Sequence, residues 1–265
     1  MINMQVSFAW KRAQTAERIE APAPRAESMA SILQSSIENH LLASLRKADF
    51  ALLAPKLQWV DLKVRDVLYG PHQEIEHAYF PTAGICSVIA ENDTGVRAES
   101  GMVGKEGFVG IAIVLFAGST PSHTIVQMEG RSLRISKKDL KKAMAKSQAL
   151  LEVLLRFTHV FNVQIAQTAV TNGHNTITQR LARWMLMCQD RADAPEFIMT
   201  HEFLAVMLAV RRSGVTEAVN DLEGRDMIRA TRGRIAILDR PGLLTIAGGA
   251  YGVPEREYRR LIPRA

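Results

Sequence analysis

Glycine and proline punctuate one stretch of this chain so often that only short elements fit between them. From Leu62 to Ile135 turn signals recur at Gly70-Pro71, Pro81-Thr82-Ala83-Gly84 and Asn92-Asp93-Thr94-Gly95, then at Gly101, Gly104, Gly107, Gly110, Gly118 and Gly130. Between them lie short segments such as ICSVIA, VRAES, TIVQM and SLRIS. Gly reaches turn conformations that strain other residues, and Pro cannot donate to a sheet ladder. Short strands at this spacing predict an antiparallel sandwich or roll.

The flanks have a different texture. Residues 1–36 are rich in Ala, Ser, Glu, Arg and Pro without a sustained apolar stripe, which predicts a disordered extension. Short helical patterns follow around Asn39–Leu45 and Asp49–Leu57. Beyond the turn-rich stretch, Ser136 and Asp139 suit the first turn of a helix, one as cap and one as a favourable charge. Leu140, Met144, Ser147, Leu151, Leu154, Thr158, Phe161, Ile165 and Thr168 then alternate spacings of four and three, a heptad-like seam. Such a seam packs a helix on its own domain or pairs it with a second copy. A helix of this reach overhangs a small roll, which favours a parallel dimer with Leu154 and Phe161 central. Asn172-Gly173 predicts a hinge.

After the hinge the pattern is helical again. His201-Glu202 begins like the helical zinc motif His-Glu-x-x-His, but Ala205 stands where the second His is required, so metal is excluded there. Instead Thr200 caps a helix over His201–Leu208, with Phe203, Leu204, Met207 and Leu208 as its stripe. A break at Ala209-Val210-Arg211 leads into a second helix, from about Arg212 to Glu223, burying Val215, Val219 and Leu222. This is a helix-turn-helix pattern, and the start of its second helix is where side chains reach base edges. Arg211, Arg212, Ser213, Thr216 and Glu217 are the candidates there, with Thr200 at the head of the first helix. Two short runs, Met227–Ala230 and Arg234–Leu238, flank Thr-Arg-Gly as a hairpin and offer Arg229, Arg232 and Arg234 to backbone phosphates. From Arg211 to Arg240 there are seven Arg against five acids, a surplus of two. Placement rather than net charge therefore points to double-stranded DNA. The bland alternative is solvated arginines on an inert winged bundle.

This order of parts resembles the Crp/Fnr transcription regulators over about residues 38–245. ITQRLARWML, MTHEFLAVMLAVRRSGVTEAVNDLEGRDMIRATRGRIAIL and ISKKDL carry the likeness. The resemblance implies an α+β chain: an antiparallel β-roll of the cyclic-nucleotide-binding kind, a long dimerisation helix and a C-terminal winged helix-turn-helix. It implies a homodimer on a pseudo-palindromic site, contact with RNA polymerase, and base reading by Arg212, Ser213 and Glu217. Well-known members often carry Arg where Glu217 stands; a carboxylate accepts where Arg donates, so the familiar target sites are not implied. The domains are then an extension at 1–36, the roll at 37–137, the dimerisation helix at 138–171, the winged domain at 172–245 and a tail at 246–265.

VGKEGFVGIAIVLFAGSTPSHT resembles the family's phosphate-binding cassette but departs from it: Ile111 follows Gly110 where the ribose-binding Glu belongs, and STPSHT contains no Arg. A cyclic phosphate buried without its cation is costly, so cyclic nucleotides are not expected to bind, and the effector is unassigned. Cys86 and Cys188 each sit alone among apolar neighbours, which predicts buried thiols and no cysteine-held cluster or zinc. His72, His77, His123 and His159 show no ligand spacing, although His159 could face the roll. The net charge of +6 permits a polyanionic partner. The longest apolar run, near Ile111–Ala117, is far short of the ~20 residues of a spanning helix. No secretory signal opens the chain, so no membrane and a cytoplasmic location are expected. No catalytic set stands out, and no cofactor is assigned. The alternative to a DNA-binding regulator is a small-molecule or haem sensor whose pocket lies in the roll.

Overall fold

The computed structural model describes residues 32–192 and 196–262. Most of the extension expected at 1–36 lies outside the described residues; within them Gln34–Ser36 form a 3-10 turn. Two short helices follow, α1 (His40–Ala43) and α2 (Lys47–Leu53). Asn39 anchors the first of them. Its Oδ1 accepts from the Leu42 amide at 3.0 Å, and its Nδ2 donates to the carbonyls of Pro81 and Gly107 at 2.8 Å.

Seven strands build the roll: β1 (Gln58–Leu62), β2 (Val67–Tyr69), β3 (His77–Pro81), β4 (Ile85–Glu91), β5 (Arg97–Val103), β6 (His123–Met128) and β7 (Gly130–Ser136), with the short helix α3 (Ile111–Val114) before β6. They form two antiparallel sheets, ordered β1-β7-β3 and β2-β6-β4-β5. The first three strands, QWVDL, VLY and HAYFP, were not singled out in the sequence. Phe80, Phe108 and Phe157 stack through the core, with ring centroids 5.7 and 5.4 Å apart. Phe157 comes from the long helix and is admitted by Gly107, where a Cβ would lie 1.9 Å from its ring.

The heptad-like seam does not run as one helix. Helix α4 (Lys137–Lys146) opens on Ser136, whose Oγ accepts from the Asp139 amide at 3.1 Å, as its spacing predicts. The chain then breaks at Ser147, which caps α5 (Gln148–His174) through the Leu150 amide and donates to Asp49 at 2.5 Å. Leu140 and Met144 therefore belong to a separate helix. The seam also faces inward: Leu154 is 1 % and Phe161 6 % exposed, both within the roll's own core. They are not centres of a dimer interface, because the roll already covers the stripe they share. The Asn172-Gly173 hinge is displaced as well: α5 runs through both residues, and the break falls at Asn175. It falls there because Thr176 and Gln179 form a reciprocal capping box that starts the next helix.

Helix α5 also revises the membrane reading. Its 27 residues are long and apolar enough, by length and composition, to cross a membrane. Its buried residues, including Leu150, Leu154, Phe157 and Phe161, instead pack against the roll.

The C-terminal part comprises α6 (Ile177–Arg191), β8 (Glu196–Ile198), α7 (His201–Met207), α8 (Arg212–Gly224), β9 (Ile228–Thr231), β10 (Arg234–Ile237), α9 (Arg240–Ala247) and α10 (Val253–Leu261). Strand β8 joins the hairpin in a sheet ordered β8-β10-β9, a strand that the sequence reading did not single out. The segment expected as a tail holds α10, which packs along α5; Tyr258 donates to the Glu106 carbonyl at 2.9 Å. One apolar cluster joins the roll to this part. Ile85, Ile89, Met102 and Ile125 of the four-stranded sheet pack with Leu181, Met185, Leu204, Val215 and Leu222.

Candidate nucleic-acid interface

The candidate reading head is built from local capping and a tight turn. Thr200 caps α7 by accepting from the Phe203 amide at 3.2 Å. Of the expected stripe, Leu204, Met207 and Leu208 are buried and Phe203 is half-buried. The turn closes when the Val210 amide donates to the Ala205 carbonyl at 2.9 Å. Ala209 sits in this turn at φ 49, in the left-handed region where glycine is the easy choice. Arg180 of α6 donates to the Leu208 carbonyl and ties the turn to the helix behind it.

Helix α8 has two faces. Val215, Ala218, Val219 and Leu222 are buried, while Arg211, Arg212, Ser213 and Glu217 are exposed. Four of the predicted contacts thus share the start of one exposed helix face. Arg212 holds Glu202 at 3.1 Å in a pair whose side chains are 67 % and 56 % exposed. An exposed pair of this kind holds by well under about 1 kcal/mol, so the guanidinium is available for exchange. Thr216 differs: its hydroxyl lies 3.0 Å from Nδ1 of His201 and donates to the Arg212 carbonyl at 3.2 Å. It locks α7 to α8. Sequence reasoning missed this use of His201, which lies one helix away.

The hairpin places its arginines beside that face. Strands β9 and β10 pair in register, with Thr231 facing Arg234 and Arg229 facing Ala236. Arg229, Arg232 and Arg234 are all exposed. Gly233 turns the tip at φ 75. Arg234 is engaged by Glu196 at 3.2 Å, through the strand that sequence missed. The Ala230 amide donates to Glu223 at 2.6 Å and fixes the hairpin to the end of α8.

The cassette region is closed rather than charged. Gly110 adopts φ 110 ahead of α3, whose Ile113 and Val114 are buried. His123 and Arg97 both bind Glu91, at 3.0 and 2.7 Å. Buried Tyr69 has its phenol pushed up to about 12 by burial. Among the described residues no group of three His, Cys, Asp or Glu side chains is placed to hold a metal. Cys86 and Cys188 are buried free thiols, and burial pushes Cys86 up to about 12. His159 turns away from the roll to Glu257 of α10, at 2.9 Å. A cavity of about 840 Å³ opens between α5, α6 and α10, lined in part by Phe157, Phe161, Arg191, Tyr258 and Arg259.

Comparison with known proteins finds likeness in the C-terminal part and in the fold. Residues 179–246 match the family model of the Crp-like helix-turn-helix domain. A crp/fnr-family transcriptional regulator from Eubacterium rectale superposes with a TM-score of 0.62 at 15 % identity, covering 78 % of this chain and 97 % of its own. FixK2 from Bradyrhizobium japonicum gives 0.62 at 15 %, covering 74 % and 99 %. A CRP-family regulator from Thermus thermophilus gives 0.61 at 17 %, covering 72 % and 98 %. No curated protein matches the chain in sequence.

Proposed function

We propose that this chain, a DNA-binding transcription regulator of the Crp/Fnr type, binds a pseudo-palindromic site as a homodimer and acts through RNA polymerase rather than by catalysis. The observation that carries the reading is the division of α8: one side buries Val215, Val219 and Leu222, and the other offers Arg211, Arg212, Ser213 and Glu217 to solvent. An exposed helix start of this composition fits a major groove. Arg212 reads guanine through its two acceptors, and Glu217 accepts from a cytosine amino group. Arg229, Arg232 and Arg234 hold phosphates beside it.

The dimer forms through the outward face of α5. Leu155, Asn162 and Ala169 recur every seventh residue on that face, with Ala166 and Val170 between and after them. Leu155 and Val170 are 40 % and 54 % exposed, large apolar side chains left open to solvent. A second copy covers them, and the two winged domains then meet half-sites about one helical turn apart.

Binding-site selection with wild type and Arg212→Ala tests the reading. The variant loses about 1–3 kcal/mol and relaxes one base pair per half-site. An unchanged selected sequence and affinity would show that α8 does not read bases through Arg212.

A further inference from the structure

A carboxyl group lies sealed between the roll and the DNA-binding domain. Glu99 is on β5, only 5 % exposed, and faces Trp184 and Cys188 of α6. Its partners are neutral. Trp184 Nε1 donates to Oε1 at 3.1 Å, and Ser87 Oγ lies 2.6 Å from Oε2. Ser87 Oγ also meets Oε1 of Gln127, whose Nε2 donates to Cys188 Sγ at 3.4 Å. With Gln127 so placed, Ser87 has one proton for two acceptors. The network closes when Glu99 is the neutral acid, donating to Ser87 while Ser87 donates to Gln127.

The charged neighbours do not undo this. Arg183 and Arg191 of α6 are the cations that act on Glu99. Arg191 is committed to Glu106 at 2.7 Å, and Arg183 donates to Thr168 of α5 at 3.2 Å. Glu255 of α10 draws on both arginines, and Asp190 acts on Arg191 as well. Cys188 is held as a thiol, raised well above its ordinary range by burial first and by Glu99 next. The immediate surroundings are the apolar cluster of Ile85, Ile89, Met102 and Met185 that joins the two parts.

We propose that Glu99 is a proton-operated latch: neutral, it lets the DNA-binding domain dock on the roll, and ionised, it loosens that docking. A carboxylate in this seam has no paired cation and lies where water is excluded, whereas separation of the domains returns it to solvent. The direction with pH follows. Burial raises Glu99 from 4.5 to about 7 in the docked form. Docking is therefore complete below the ordinary carboxyl value and weakens as pH rises through it, by up to about tenfold per unit, until about pH 7. The latch rests on reading α6 to α9 as the DNA-binding unit, but it is tested on the free protein, so its failure would leave the DNA assignment untouched.

The test uses the full chain with Trp10→Phe and Trp59→Phe, which leaves Trp184 as the reporter among the three tryptophans. Emission and small-angle scattering are followed from pH 5 to 8.5. The expected result is a single emission transition with a matching rise in radius. Glu99→Gln abolishes both and stays compact throughout. Ser87→Ala keeps the carboxyl but removes the acceptor of its proton, so the docked form is weakened and the midpoint moves to lower pH; it decides the matter if Glu99→Gln does not fold. A flat wild type, a transition that survives Glu99→Gln, or a midpoint unmoved by Ser87→Ala overturns the proposal. An emission change at constant radius overturns it too, since the carboxyl would then ionise without loosening anything.

Discussion

Two adjacent leucines on α5 separate the roles of its faces. Leu154 is 1 % exposed and sits in the roll's core; Leu155 is 40 % exposed on the outward stripe. Truncating Leu154 to Ala removes buried methyl groups where the surroundings are rigid. The helix there is held by the Phe108–Phe157 contact at 5.4 Å and by Gln164 on the Met102 backbone at 2.7 Å, so the site collapses little. A buried Leu→Ala change of this kind costs about 2–5 kcal/mol. A chain of this size loses roughly 2–4 °C in Tm per kcal/mol, so a fall of about 4–20 °C is expected. Leu155→Glu removes little buried area from the monomer and leaves Tm near wild type when measured below the dimer's dissociation concentration. In the dimer it sets two carboxylates in an apolar seam, which is strongly unfavourable without partners. Thermal unfolding by circular dichroism and sedimentation velocity measure the two effects. Leu154→Ala should remain a dimer with a lowered Tm, and Leu155→Glu should become a monomer with an intact roll. The reversed pattern, dissociation with Leu154→Ala and none with Leu155→Glu, would refute the assignment of faces.

Arg232→Ala should weaken binding to all sequences alike and reduce the salt slope by about one unit, read by salt titration on the selected site. Cyclic AMP and cyclic GMP should bind weakly or not at all, because residues 110–124 offer no Lys or Arg to a buried phosphate; submicromolar affinity by calorimetry would contradict this. Gly107→Ala should cost about 1–3 kcal/mol in urea unfolding, since its Cβ would meet the Phe157 ring at 1.9 Å. Adding Phe157→Leu should recover part of that loss, and full additivity would show that the two do not touch.

The helix-turn-helix was legible because its signals are local. Thr200 caps α7, and the buried set Val215, Val219 and Leu222 follows helical spacing whatever else the chain does. The face of α5 was not legible in the same way. A stripe at heptad spacing says that something covers it, and only tertiary packing decides whether that is the roll or a second copy. The seam residues Leu154, Thr158 and Phe161 went to the roll, and the stripe one residue on was left outward. Two breaks had local signals that the longer pattern masked: Ser147, counted as a seam position, is the cap of α5, and Thr176 with Gln179 opens α6.

Glu99 had no local signal at all. In VRAES it alternates with Ala98 and Ser100 as a solvent-facing residue of an edge strand would. It is buried only because α6 lies across β5, so that Trp184, eighty-five residues away in sequence, closes over it. That burial exists only while the domains are docked. The same contact that hid the carboxyl from sequence reasoning is thus the one its ionisation would oppose.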